Sequence, residues 1–433
     1  MAATTAMPLE VLHALQDFET RHRANIHRGV HTLSQRATDA FEAARATLHR
    51  FIGADAAHEL VFTSGASEAL ALALGSAKVE RRIVSAVEHD AVWRAASGAE
   101  ILPIREGEPD LEVLAALLAA PGRAIVAVQS INSETGTILL PLVRNAVAEQ
   151  VRAAGGLLLA DCSQSAGKDP LPDADLIVVS GHKLGGPIGI GALLVRDWAM
   201  LEPTGGQERG YRPGTENLPG ALGLAAALEA GGSVAWATTA DERFDFRKAL
   251  SRHGEVLAPG VQCSHIFAVA APRMAANAML IRMDALGFAI SAGSACSSGS
   301  LRPSRVLQGF GIDLGDANKW GDETDARIVK ALKTALNQAL ALRGGEAIVL
   351  DADNALFGPR MKQAVKLFQA RNVDNQGQPL KVDGEVGSLT WEALFGTERV
   401  PQVEVKPKGL AAQVLAFGGR EGQGSHGDII LWR

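Results

Sequence analysis

Between residues 60 and 200 the chain carries short apolar runs at 60–63, 83–87, 124–129, 156–160, 175–179 and 190–195, and helical stretches alternate with them. Strands and helices that alternate in this way predict a largely parallel sheet with helices on both of its faces. The fold class is therefore α/β. Residues 8–50 read as helical, with Leu9, Leu12, Leu15 and Phe18 at helix spacing, and 218–232 form an Ala/Leu helix. Residues 240–312 read as a smaller α+β portion with candidate strands at 266–270 and 278–281.

The character of the chain changes near 313, where Asp313-Leu314-Gly315-Asp316-Ala317-Asn318 is polar and rich in turn residues. A helix over 324–342 follows, and then a repeat. The stretch from Leu356 to Val365 recurs 29 residues on as Glu385 to Leu394, each copy a Gly turn that starts a helix. Residues 397–433 read as linker and tail, marked by Pro401, Lys406, Pro407 and Lys408 and then by a Gly-rich end.

Composition narrows the function. The 433 residues are 47% hydrophobic with a formal charge of -6, a mild balance that argues against nucleic acid or an anionic membrane as partner. The apolar stretches fall short of the ~20 residues a membrane span needs. The first seven residues lack the charged and apolar regions of a signal peptide. Cys162, Cys263 and Cys296 provide no disulfide framework, which suits a reducing, cytoplasmic location. No metal site is expected.

The chemistry gathers at strand ends. One strand ends in Asp161-Cys162-Ser163-Gln164, the next in Ser180-Gly181-His182-Lys183. A carboxylate and a lysine so placed are what a pyridoxal phosphate (PLP) enzyme needs. The amine forms a Schiff base with the aldehyde, and the aspartate pairs with the pyridine nitrogen. Thr63-Ser64-Gly65-Ala66-Ser67-Glu68 follows a strand and opens a helix, so backbone N–H groups and hydroxyls there can reach a phosphate. His89 also follows a strand, where it could stack on a cofactor ring and shuttle protons. Each feature alone has a bland reading: a turn, a structural histidine, a helix cap, a solvated lysine. Their combination is harder to obtain by chance.

From Phe62 to Ser300 the chain resembles the cysteine desulfurases, PLP enzymes of fold-type I in the class V aminotransferase superfamily. The resemblance rests on runs in the same order: Phe62–Glu68, Glu88–Val92, Asn132–Ile138, Ala160–Gln164, Ser180–Lys183, Gly205–Asn217 and Ser291–Gly299. The last run places a cysteine in a Ser/Gly-rich loop where aminotransferases have none. The resemblance implies a desulfurase-like region over 1–312, with a large domain over about 16–220 and a truncated small domain over about 221–312. It implies Lys183 as the Schiff-base lysine, Asp161 on the pyridine nitrogen, Gln164 on the phenolic oxygen and His89 on the ring. Ser67, Ser180 and His182 would hold the phosphate, with backbone from Ala66 and with Thr215 reaching the neighbouring subunit of a homodimer. Asn132 and Ser133 would lie at the substrate. Cys296 would take sulfur from L-cysteine as a persulfide, release alanine, and pass the sulfur to an acceptor or iron–sulfur scaffold protein. Cys162 and Cys263 are left as structural.

The chain departs from that family in three places. Ala3-Thr4-Thr5 stands at the very start, where family members first have a strand. Ser133 stands where many members have a second Asn. After Leu307-Gln308-Gly309-Phe310-Gly311 there is no strand bearing the Arg that clamps the substrate carboxylate. Lys319 is the nearest substitute, with Arg302 and Arg305 further off, and Lys does not reproduce a bidentate Arg.

Residues 322–396 resemble a three-helix peptidoglycan-binding module, through Phe357–Gln369 and Val382–Leu394. Peptidoglycan is then a partner. Two readings follow: an active cysteine desulfurase, with selenocysteine lyase and aminotransferase as chemical neighbours, or a catalytically inactive PLP-fold remnant joined to a wall-binding module.

Overall fold

A computed structural model of the chain describes residues 7–22, 26, 31–52, 58–230, 239–252, 254–270, 276–292, 304–312, 332–340, 350, 359–374, 377–382, 388–395 and 428–432. The chain divides into two units: Met1–Ala271 with Ala276–Leu314 and Phe417–Arg433, and Gly315–Ala416 with Pro272–Ala275.

The first unit begins with strands β1 (Glu59–Thr63), β2 (Arg81–Ser85), β3 (Glu100–Leu102), β4 (Ile104–Arg105), β5 (Glu108–Pro109), β6 (Ala124–Gln129), β7 (Leu157–Asp161), β8 (Leu176–Ser180) and β9 (Gly191–Val195). A seven-stranded sheet has the order β1-β9-β8-β7-β6-β2-β3, and β4 and β5 form a separate ribbon. The strands from β8 to β3 run parallel, while β9 runs antiparallel to both β8 and β1. The helices are α1 (Leu9–Asp17), α2 (Thr32–Ile52), α3 (Ala66–Ser76), α4 (Asp90–Ala95), α5 (Leu111–Leu118), α6 (Ala146–Ala153) and α7 (Leu218–Ala230).

The continuous apolar runs have a physical cause. In β6, Val126 and Val128 join a core with Phe41, Leu48 and Leu224 from α2 and α7. Ile125 and Ala127 join the opposite core with Leu70, Leu74 and Val92 from α3 and α4. Both faces of the sheet are covered, so neither set of alternate residues can be polar.

The same unit continues with α8 (Ala240–Leu250), β10 (Glu255–Leu257), β11 (Ile266–Ala270), α9 (Ala276–Ala285), β12 (Ser291–Ala292) and α10 (Arg305–Gly309). The strand expected at 278–281 is instead part of α9. Its apolar run is short enough to serve either period, and Ala, Leu, Met and Arg, all strong helix formers, decide it. Within the stretch read from sequence as linker and tail, Asp428–Trp432 is a strand, β13. It lies between β11 and β12, parallel to both, in a four-stranded sheet ordered β10-β11-β13-β12.

The second unit contains α11 (332–340), α12 (Pro359–Gln369) and α13 (Ser388–Phe395). Leu332, Leu336, Leu340, Met361, Val365 and Phe368 share one small core, against which Ala393 and Leu394 pack. Gln369 Nε2 donates to Thr390 Oγ1 at 3.1 Å and ties α12 to α13. Phe357 and the side chain of Trp391, expected in this core, lie outside the described residues.

Candidate active site

The C-terminal ends of β8, β7, β6 and β2 open on one edge of the sheet, the place where open α/β sheets bind ligands. Asp161 is the last residue of β7, in register with Gln129 of β6 and Val178 of β8. Lys183 follows β8 in the 3-10 turn Gly181–Leu184. His89 follows β2 as the N-cap of α4. The sheet topology thus brings together residues 22 to 94 positions apart in the chain.

At one end of this edge stands an open helix start. Antiparallel β9 places Gly191 in register with both Thr63 and Ser180. A Cβ on Gly191 would sit 2.7 Å from Gly65 Cα and 2.7 Å from the Val179 carbonyl oxygen. The missing side chain is what lets the Thr63–Ser67 turn approach Ser180. Gly65, the N-cap of α3, supplies no side-chain hydrogen bond to the first-turn amides. Ser67 is exposed, Ala66 half-buried, and Ser180 Oγ meets His182 Nδ1 at 3.2 Å. Glu68 accepts from Ser64 N and pairs with Arg212 Nε at 3.0 Å, which ties the turn to the Gly205–Asn217 loop. That loop is held again by Glu208, whose carboxylate meets Arg45 Nη1 at 3.0 Å and accepts from Phe62 N at 3.2 Å. Thr215, further along it, is exposed.

The middle of the edge is ionic. Asp161 is buried and takes two bonds on the same oxygen, Oδ1, from Ser163 N at 3.0 Å and Ser163 Oγ at 2.6 Å. His89 Nδ1 accepts from Ala91 N at 3.1 Å, which assigns the neutral ring's proton to Nε2. Burial lowers the His89 pKa, Asp161 raises it and Lys183 lowers it again, so the three groups share one neighbourhood. Gln164 is buried, and His265 Nε2 donates to its backbone carbonyl at 3.0 Å. Burial and then the charge of Lys183 bring the Lys168 amine down to about 8.

Asn132 is fully buried. Its Oδ1 accepts from Glu134 N, Thr135 N and Thr135 Oγ1, and its Nδ2 donates to the Val87 carbonyl at 3.1 Å. It therefore organises the 132–137 loop. Ser133 N donates to Gln129 Oε1 at 3.0 Å. Burial raises the Cys162 thiol to about 12 and the Cys263 thiol to about 11, which keeps both protonated and inert. Cys296, Lys319 and Arg302 lie outside the described residues. Arg305, a candidate carboxylate anchor, is committed elsewhere: it pairs with Asp90 Oδ1 at 2.7 Å and covers the Trp93 ring at 4.7 Å.

Residues 1–311 match the model of the class-V aminotransferases. The chain belongs to the class-V aminotransferase family. It is 34% identical over 336 residues to a cysteine desulfurase of Cereibacter sphaeroides, an alignment covering 72% of this chain and 85% of that one. Among solved structures it is similar to the apo cysteine desulfurase of Thermococcus onnurineus, with TM-score 0.60, 27% identity, and coverage of 72% of this chain and 86% of that one. It is also similar to SspA in complex with cysteine, with TM-score 0.60, 26% identity, and coverage of 73% and 95%. The sheet is that of the fold-type I PLP enzymes, and PLP is the family's cofactor. Residues 326–394 match the peptidoglycan binding domain, so the second resemblance holds as well.

The residues present fit PLP. The uncapped start of α3, opened by the bare Gly191, suits a phosphate. The lysine and the buried carboxylate stand at adjacent strand ends, as the cofactor's two ends require. Three buried titratable groups beside the site are not marked by any sequence motif. Glu88 is fully buried beside Asp161 and its carboxyl is pushed well above the usual range, chiefly by burial. Burial also raises Glu134, to about 7. His265 lies outside every recognised run. Glu88 and Glu134 fall inside runs that were recognised, but only their burial marks them.

Proposed function

We propose that this chain is a PLP-dependent cysteine desulfurase that converts L-cysteine to L-alanine and retains the sulfur as a persulfide on Cys296. The observation that carries the reading is the meeting of Lys183, Asp161 and His89 at one strand edge, beside the uncapped helix start. The named relatives support cysteine as substrate. When bound, PLP supplies an electron sink for the substrate's Cα and loosens the bond from Cβ to sulfur.

The protein's residues do the rest. Asp161 holds positive charge at the far end of the site, steadied by Ser163. Ser67, Ser180 and His182, with the Ala66 backbone, hold the phosphate, and Gln164 orients the ring edge. Lys183 would hold the cofactor in the resting enzyme and, once released, would move the proton at the substrate's Cα. His89, neutral with its proton on Nε2, would lie against the bound ring and exchange protons with the substrate amine. The Cys296 thiolate attacks the substrate sulfur. The S–S bond forms as the C–S bond breaks, and a proton completes the methyl group of alanine. Asn132 and Ser133 shape the loop facing the substrate. Thr215, exposed on a loop pinned by Glu208, reaches the phosphate of the other subunit in a homodimer.

The persulfide passes to an acceptor or iron–sulfur scaffold protein in the cytoplasm. No described helix is long and apolar enough to cross a membrane. The second reading, an inactive PLP fold that serves a wall-binding module, is favoured by the peptidoglycan domain and by the commitment of Arg305 to Asp90. One experiment separates the two. The purified chain should absorb near ~420 nm, as Schiff-base cofactors do, and release alanine and sulfide from cysteine with a reductant. Borohydride should fix the cofactor to Lys183. A yellow protein without turnover supports the inactive reading, and a colourless one that takes up no PLP rejects both.

A further inference from the structure

Helix α10 begins immediately after residues 293–303, the segment that carries Cys296 in the sequence. Its two leading residues reach two loops of the site. Ser304 Oγ donates to Glu134 Oε2 at 2.7 Å while accepting from Val306 N and Leu307 N as the N-cap. Arg305 Nη2 donates to Asp90 Oδ1 at 2.7 Å and to the Glu88 carbonyl at 3.4 Å, and its guanidinium covers the Trp93 ring at 4.7 Å. The contacts of Arg305 therefore bracket His89 on both sides. At the other end of α10, a Cβ on Gly309 would meet Val87 Cγ1 at 2.7 Å, so the helix lies directly on the turn that leads into His89. Val306 is buried in the core of the large sheet, and Leu307 in the separate core of β10 and β11.

We infer that Ser304 and Arg305 form a clasp that fixes the far end of the Cys296 segment to the His89 and Asn132 loops, and that both are positioning residues for sulfur transfer. The inference rests on the desulfurase reading for its chemistry and on these contacts for its geometry. An exposed ion pair alone holds little. Here a charge pair, a carbonyl contact and an aromatic face converge on one guanidinium, and the neighbouring residue adds a bond to a half-buried carboxylate. Cys296 lies eight residues before Ser304. The clasp sets where its segment rejoins the fold, and small displacements of a reacting group are costly.

The test uses the full PLP-loaded chain with Arg305→Ala, Arg305→Lys, Glu134→Gln and Glu134→Ala. Hydrogen exchange over 293–312 should speed up several-fold in Arg305→Ala and recover in part in Arg305→Lys. Persulfide formation on Cys296, read by alkylation and mass, should slow by about tenfold while KM and the cofactor spectrum hold. Glu134→Gln, which keeps an acceptor for Ser304, should stay nearer the parent than Glu134→Ala. Parental exchange and rates in Arg305→Ala would overturn the clasp, as would loss of the cofactor spectrum in parallel with the rate. Asp90→Ala breaks the same pair from the other side and decides the matter should Arg305→Ala not fold. A parental chain that forms no persulfide overturns the desulfurase reading instead. Exchange then decides the clasp alone: faster in Arg305→Ala supports it, and unchanged rejects it.

Discussion

His265 Nε2 donates to the backbone carbonyl of Gln164 across 3.0 Å, joining two residues 101 positions apart. The bond ties the start of β11 to the strand-end loop that carries Gln164. Burial holds this imidazole neutral and lowers its pKa from 6.5 to about 3, with the charge of Lys168 adding to the effect. The unfolded chain binds a proton below about 6.5 that the folded chain refuses. The stability held by neutral His265 is therefore present above that pH and lost as pH falls from 6.5 towards 3, by at most about 1.4 kcal/mol per pH unit. Urea titrations at pH 7 and pH 5 should show a larger loss in the parent than in His265→Gln, which keeps a donor but does not titrate. Equal losses would mean that His265 titrates normally.

The Arg45–Glu208 pair is buried, with side-chain exposures of 11% and 1%. Glu208→Ala would leave the Arg45 guanidinium with only Glu42 and the Leu60 carbonyl, and would remove one tie of the Gly205–Asn217 loop to β1, the Arg209–Glu59 pair remaining. Removing one partner of a buried pair costs about 3–5 kcal/mol when the other charge is left uncompensated; with Glu42 still on Arg45, a loss at or below the lower end of that range is expected, smaller again for Glu208→Gln. Chemical denaturation measures it, and a loss below about 1 kcal/mol would put the pair among the weak surface type.

Gly191→Ala should damage cofactor binding before it damages the fold. Its Cβ would press on Gly65 Cα and push the turn at the start of α3 away from Ser180. Overpacking of this kind costs about 1–3 kcal/mol. Titration of the apo-protein with PLP should show at least about tenfold weaker binding, at about 1.4 kcal/mol per decade. Unchanged affinity would show that this turn does not hold the phosphate.

Asp161→Asn keeps an oxygen for the Ser163 bonds but removes the charge. PLP should still bind, since the phosphate contacts and Lys183 remain. Turnover of cysteine should fall by about a hundredfold or more, the scale on which a missing electrostatic partner is felt in a water-poor site. Steady-state alanine production tests this, and a rate within about threefold of the parent would remove Asp161 from its proposed role.

Removal of 428–433 should destabilise the first unit, although these residues follow a Gly-rich stretch. It would leave β11 and β12 with unpaired edges where β13 now lies between them. Exposed edges of that kind promote association between chains. A lower melting temperature and aggregation on heating are expected, and an unchanged melting curve would show that β13 adds nothing to the sheet.

The sequence by itself determined the parallel sheet and the order in which Thr63–Ser67, His89, Asp161 and Lys183 follow its strands. Both are local signals. A strand buried on two faces must be apolar throughout, and a ligand edge is marked by polar residues where the apolar run stops. Local composition also misled at 278–281, because a short apolar run serves helix and strand alike. Only the tertiary structure decided the rest. The insertion of β13, the bond from His265 to Gln164, and the contacts of Ser304 and Arg305 join segments 101 to 217 residues apart. Nothing in the composition near Arg305 selects Asp90 over solvent. That choice is made by the path of the chain, which lays α10 on the turn before His89. The raised pKa of Glu134 likewise follows from the desolvation that this packing imposes.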